Sequence, residues 1–171
     1  QYIGFNTRSP VFREHRFRHA VAQAINDEEV IRDAERTDIA ATSLIPIGLH
    51  GHVDAIGIKF NATAASRLFN EAFNDRAGAM PTVRMISRMG METDIANGVA
   101  QVLLKHLGLT VQVTAMGNEQ YSEAQKKGEF DLYSGGWTAD FPDPHNFVDI
   151  FRSDNILNTT GWKNESFDSI L

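Results

Sequence analysis

The chain contains no cysteine, which excludes a disulfide framework, a thiolate metal site and a thiol nucleophile. It has no apolar run approaching the roughly 18 to 20 residues that a bilayer-spanning helix needs, and no positively charged lead into an apolar stretch at its start. Basic side chains are in deficit, with 16 Lys and Arg against 22 Asp and Glu for a net charge of −6. They are scattered along the chain, which argues against a nucleic-acid partner, because that affinity comes from clustered Lys and Arg. Internal repeats and low-complexity tracts are absent. So are a glycine loop followed by Lys-Ser/Thr for phosphates, a nucleophile elbow around any serine, and the glutamate that would turn His15 and His19 into a zincin pair.

What is present is 171 residues with 42% apolar content, enough for one domain with a real core. "QYIGFNT" opens directly on a strand-like run, which predicts a piece of a longer protein. Phe17, Ala20, Val21, Ala24 and Ile25 recur at helical spacing and predict a helix over 14–25. Asn26, with Glu29 three residues on, reads as the cap of a second helix over 27–36. Residues 41–57 carry a proline and three glycines without a period, and form a loop long enough to suggest a functional or packed segment. Ala65, Leu68, Phe69, Ala72 and Phe73 mark a helix capped by Asn61. After Pro81, residues 82–87 read as a strand; 88–92 connect it to a helix carrying Ile95, Val99, Val102, Leu103 and Leu107 and closed by Gly108. A strand over 109–114, a short helix over 119–127 ending at Gly128, a strand in "FDLYSGGW" and a helix starting at Pro142 and Pro144 complete the chain. Strands alternating with helices predict an α/β fold with a parallel or mixed sheet flanked by helices. Ligands gather at the carboxyl ends of such strands, where "RMGME" and "GGWTAD" fall.

The stretch "SGGWTADFPDPHNF" (134–147) concentrates glycines, carboxylates, prolines and a tryptophan. Asp140 and Asp143 could divide acid and base roles, but their spacing does not require it, and Asp143 before Pro144 is placed to cap the next helix. Gly135 and Gly136 suit a close approach of backbone to a ligand or a neighbouring strand. His50 and His52 raise a second reading, a freestanding α/β metal-binding module or hydrolase using them with Asp140, although a metal needs three or four converging ligands. Sequons at Asn61, Asn158 and Asn164 are matched by residue type alone and receive no role.

Seven segments in order carry a further signal: "YIGFNT" at 2–7, "FREHRFRHAVAQAINDEEVI" at 12–31, "SLIPIGLHG" at 43–51, "FNATAASRLFNEA" at 60–72, "VAQVLLKHLGLTVQV" at 99–113, "KKGEFDLYSGGWTADFPDPHNF" at 126–147 and "TTGWKNESFDSIL" at 159–171. Together they resemble the C-terminal lobe of the family 5 extracytoplasmic solute-binding proteins of ABC transporters. The resemblance implies that 1–171 is a single domain, one lobe of a two-lobed periplasmic-binding-protein-like (type II) fold whose N-terminal lobe lies elsewhere in the same protein. It implies a receptor rather than an enzyme, periplasmic or membrane-anchored as a lipoprotein outside the cytoplasm. Such a receptor captures peptides or other small solutes for ABC transporter permease subunits, with no resident metal or cofactor. Nickel chelates, haem, opines and sugars are also cargo in the family. In its peptide-binding members the segment after the glycine makes backbone contacts to the ligand, and the Asp of Trp-x-x-Asp holds the α-amino group. Carried over, these positions are Gly136, Trp137, Thr138, Ala139 and Asp140. An ammonium entering a closing cleft needs a fixed counter-charge, which Asp140 would supply.

Overall fold

A computed structural model describes residues 1–74, 80 and 82–171. In chain order the elements are β1 (Tyr2–Phe5), α1 (His15–Ala24), α2 (Asp27–Asp33), α3 (Ala62–Asn74), β2 (Val83–Arg88), α4 (Met91–Leu107), β3 (Val111–Met116), α5 (Asn118–Lys127), β4 (Leu132–Gly135), α6 (His145–Val148), a single 3-10 turn (Asp149–Phe151) and α7 (Glu165–Asp168). The four strands form one sheet in the order β1-β4-β2-β3. β2 runs parallel to β3 and to β4, and β1 closes one edge antiparallel to β4. This is the expected α/β class with a mixed sheet flanked by helices.

Helical periodicity translates directly into packing. Phe17, Ala20, Val21 and Ala24 form the buried face of α1, and Phe17 stacks on Phe69 of α3 at 4.8 Å between ring centroids. The Asn26 side chain accepts the Glu29 amide and caps α2 as predicted. That helix ends at Asp33, three residues earlier than expected, and Glu35 turns the chain with φ 53°. Asn61 caps α3 by accepting the Ala64 amide at 2.9 Å. Gly108, at φ 65°, ends α4 in the left-handed conformation that glycine adopts without penalty. Other boundaries move too. α4 starts at Met91, so the connection after β2 shrinks to Met89 and Gly90, and β3 starts at Val111 because Leu109 is spent in the core. Pro81 lies outside the described residues.

Alternation along the strands divides the core. Met85 and Leu132 pack with α1, α3 and α4 on one face, while Ile86, Tyr133 and Phe130 pack with Tyr121 of α5 on the other. Both faces of β2 and β4 are thereby covered, as parallel strands require.

Two buried carboxylates tie these layers together. Asp131, just before β4, accepts the Ser9 hydroxyl at 2.5 Å, the Arg84 amide at 2.8 Å and Arg84 Nε at 3.1 Å. Its own amide donates to Arg84 O and its carbonyl accepts the Asn6 amide. One residue thus joins β2, β4 and the turn after β1. Burial raises its pKa, but Arg84 and Ser9 outweigh that and hold it below the usual carboxylate range. Glu29 on α2 is also buried and pairs with Lys105 Nζ and with His106 Nε2 at the end of α4, and these bonds lower its pKa.

Arg84 and Lys105 are themselves more than half exposed, so what a neutral amide would lose is the charge-assisted hydrogen bonding around each buried carboxylate. We predict that Asp131→Asn and Glu29→Gln each destabilise the fold by about 2–3 kcal/mol near neutral pH, measured by urea unfolding. Both folded pKa values are depressed, so the stabilisation is complete above the unfolded carboxylate pKa of about 4 and is lost as pH falls through the lowered folded values. The gap between wild type and either variant should therefore close as the solution is acidified below pH 4.

Candidate functional site

Because β2 and β4 are parallel, their carboxyl ends lie on one edge of the sheet. That edge carries Arg88 from β2 and the Gly135-Gly136-Trp137 corner from β4. Tyr121 Oη donates to Ser134 O at 2.7 Å and fixes the end of β4. Gly136 runs against the Gln1 side chain so closely that a Cβ would meet it at 2.7 Å. The corner then turns through Trp137, which is half-buried and whose Nε1 donates to Asn146 Oδ1 on α6 at 2.8 Å. Asp143 Oδ1 accepts the His145 amide at 2.8 Å, so it caps α6 as the sequence suggested.

Trp137 stands between two cavities. On one side, about 410 Å³ is enclosed by Trp137, Phe147 and Ile150 against the irregular segment Ile39–Ile47, with His52 behind it. On the other, about 250 Å³ is lined by Gly135, Gly136 and Trp137 together with Arg88, Tyr121 and Lys126. Arg88 is held in place from two directions: its guanidinium lies 4.3 Å above the Tyr121 ring and its Nη1 pairs with Glu92 Oε1 at 2.7 Å. Burial raises the phenol pKa of Tyr2, Tyr121 and Tyr133, so all three are neutral hydrogen-bonding groups. A larger depression of about 620 Å³ lies between the end of α2 and α4 and is lined by Asp33, Arg36, Asp94 and Asn97. It shares no residue with the strand-end cavities and lacks the carboxyl-end position at which α/β sheets hold ligands.

Of the five residues suggested by the family resemblance, Trp137 lines both cavities and Gly136 the one beside Arg88. Thr138, Ala139 and Asp140 line neither cavity, and Asp140 is exposed. Among the described residues, none donates a hydrogen bond or forms an ion pair to Asp140.

The metal or hydrolase reading of His50, His52 and Asp140 is not supported. Among the described residues no three His, Asp or Glu side chains converge on a possible metal position. His50 is exposed, and His52 has both nitrogens occupied, Nδ1 by Ile45 O at 2.6 Å and Nε2 by Asp54 Oδ1 at 3.0 Å. Both partners are acceptors, so both bonds form together only on the imidazolium. The Ile45 carbonyl first, and Asp54 second, raise the His52 pKa above its usual value. The sequons have structural roles instead: Asn61 and Asn164 cap α3 and α7, and Asn158 Nδ2 donates to the carbonyls of Phe151, Arg152 and Trp162.

Sequence patterns alone passed over Tyr2, Tyr121, Asn146 and Lys126. Arg88 did fall in a strand-end loop already marked by its position, and the length of the 41–57 loop was the signal for the 39–47 wall.

Two measurements check this geometry. Asn146→Ala should free the indole, cost about 1 kcal/mol and shift the Trp137 fluorescence, read in a Trp162→Phe background. His52 should titrate above about 6.5 by NMR, and Asp54→Asn should lower its pKa.

Residues 1–158 match the family described as bacterial extracellular solute-binding proteins, family 5 Middle. The dipeptide-binding protein DppE of Bacillus subtilis (strain 168) is 25% identical over 180 residues, covering 99% of this chain and 33% of that protein. The chain thus spans about a third of the length of the curated relatives it matches. The Escherichia coli murein tripeptide binding protein MppA superposes with a TM-score of 0.87 at 20% identity, over 99% of this chain and 35% of its own. A crystal structure described as a peptide ABC transporter peptide-binding protein gives 0.84 at 24% identity, over 98% of this chain and 80% of its own. These two likenesses establish the fold, and the match over residues 1–158 establishes the family: the chain belongs to the bacterial extracellular solute-binding proteins, family 5.

Proposed function

We propose that this chain forms one side of the ligand cleft of an ABC-importer receptor that captures short peptides outside the cytoplasm, free or lipid-anchored, and presents them to permease subunits. In this reading 1–171 is a single domain, the C-terminal lobe, and the remainder of the protein supplies the opposing lobe. The observation that carries the reading is the Gly135-Gly136-Trp137 corner, which sits at a parallel strand end between two cavities.

The chemistry of that corner suits a peptide. Glycine backbone at a strand end can exchange main-chain hydrogen bonds with an extended ligand without reading its side chains. Trp137 supplies a flat wall whose polar atom is already engaged by Asn146. Three residues beyond Trp137, the exposed Asp140 is a carboxylate without a protein partner among the described residues, as the counter-ion of a ligand ammonium must be before the ligand arrives. Closure of the second lobe would remove water from that pair and strengthen it. The names of relatives, a dipeptide-binding protein and a murein tripeptide binding protein, support the ligand class. The role is capture and release, with no catalytic residue.

The test is calorimetric titration of the full-length protein with trialanine. We expect binding by the wild type and a loss of about 10- to 100-fold for Asp140→Ala, the cost of stripping one partner from an enclosed charge pair. N-acetyl-trialanine should lose a similar factor on the wild type and little more on the variant. Equal affinity of wild type and variant for the free-amino peptide would refute the anchor role.

A further inference from the structure

Residues 39–47 form one wall of the cavity beside Trp137, yet no helix or strand covers them or the residues that follow up to Asn61. Among the described residues, the backbone hydrogen bonds of 39–57 are two local turns. The Leu49 amide donates to Pro46 O and the His52 amide to Leu49 O, and none reaches a strand or a helix.

The side chains that shape this segment are its own. His52 Nδ1 donates to Ile45 O at 2.6 Å and Nε2 to Asp54 Oδ1 at 3.0 Å. The same Asp54 oxygen accepts the Thr42 hydroxyl at 3.4 Å, and Ser43 Oγ accepts the Ile45 amide at 3.3 Å. His52 therefore ties the far part of the loop to the wall at two points, Ile45 directly and Thr42 through Asp54.

The protonation of the ring decides whether both ties exist. Ile45 O and Asp54 Oδ1 are acceptors, so each needs an N–H; a neutral imidazole carries one and an imidazolium two. The His52 side chain is only 14% exposed, and Asp54 beside it is of opposite charge. The other residues lining the cavity bring no charged side chain: Gln1 offers a carboxamide, burial keeps the Tyr2 phenol neutral, and the opposite wall is Trp137, Phe147 and Ile150. The Ile45 carbonyl first, and Asp54 second, raise the His52 pKa. Because the folded value is the raised one, both bonds are present below the unfolded pKa of about 6.5, and one is lost as pH rises through the folded value.

We propose that His52, as the imidazolium, is a positioning residue for ligand capture: it clamps the 39–47 wall before the ligand arrives, and loss of its proton loosens the wall and weakens binding. This inference rests on the peptide reading above. A wall ordered in advance removes the entropy cost of ordering it around the ligand, so the receptor holds peptide more tightly in mildly acidic surroundings than in alkaline ones.

The test compares the full-length protein with His52→Gln, whose amide does not titrate. Without peptide, hydrogen-exchange protection of the amides at 43–52, measured relative to α4, should fall between about pH 5.5 and about pH 8.5 in the wild type and stay level in the variant. Calorimetry with trialanine should give the wild type an advantage of about 3- to 10-fold over the variant at the lower pH, the size of one hydrogen bond, and none at the higher pH. The ligand amine titrates against both proteins, so the ratio isolates His52. Wall protection that ignores pH, or that falls equally in the variant, overturns the clamp. Equal affinity of the two proteins at the lower pH overturns the positioning role while peptide capture stands. Failure of trialanine to bind either protein refutes the peptide reading, and the role of His52 in capture falls with it.

Discussion

The buried carboxylate of Asp131 is the constraint on which the arrangement at the cleft depends. It sits where the chain enters β4, and its oxygens are shared between Ser9, from the turn after β1, and Arg84, from β2. Its backbone continues the pairing in both directions. The register between β2 and β4 is therefore set at their amino ends, and a slip by one residue would turn every β4 side chain to the wrong face. With Met85 opposite Leu132 and Ile86 opposite Tyr133, the strand delivers Gly135 and Gly136 to the same edge as Arg88. The glycine corner is aimed by a charge pair about four residues upstream of it.

From that fixed edge the cleft is assembled by elements far apart in sequence. The wall at 39–47 has no helix or strand of its own and is stiffened locally by Ser43, His52 and Asp54. Trp137 is pinned from the other side by Asn146, on a helix that Asp143 caps. Arg88 is braced by Glu92 and Tyr121. Each wall therefore carries its own short-range support, which leaves the face between them open to a ligand.

Much of the fold was legible because it is written in short-range patterns. The apolar stripes of α1, α3 and α4 and the caps at Asn26, Asn61 and Asp143 each involve residues within a few positions of one another. Errors arose where tertiary packing overrode the local pattern. Leu109 looked like the first residue of an alternating strand but is buried beneath α4, and the first turn of α4 has no apolar stripe to announce it. At the site, the strand-end glycines and Trp137 stood out by composition and position. The facing wall did not, because the 39–47 segment that shares a cavity with Trp137 lies some ninety residues earlier in the chain and no local period records that juxtaposition. His52 illustrates the same limit: beside His50 it suggests a metal ligand, and only the fold shows its two nitrogens turned to Ile45 and Asp54.

The central claim is that peptides are held at the carboxyl edge of this sheet, across the glycine corner. Hydrogen exchange of the full-length protein with and without trialanine tests it most directly. The account predicts slowed exchange at the amides of residues 136–140 and 39–47 on adding peptide, with the α2–α4 depression around Asp94 and Asn97 unchanged. Protection centred on that depression, with the 136–140 amides unaffected, would contradict it.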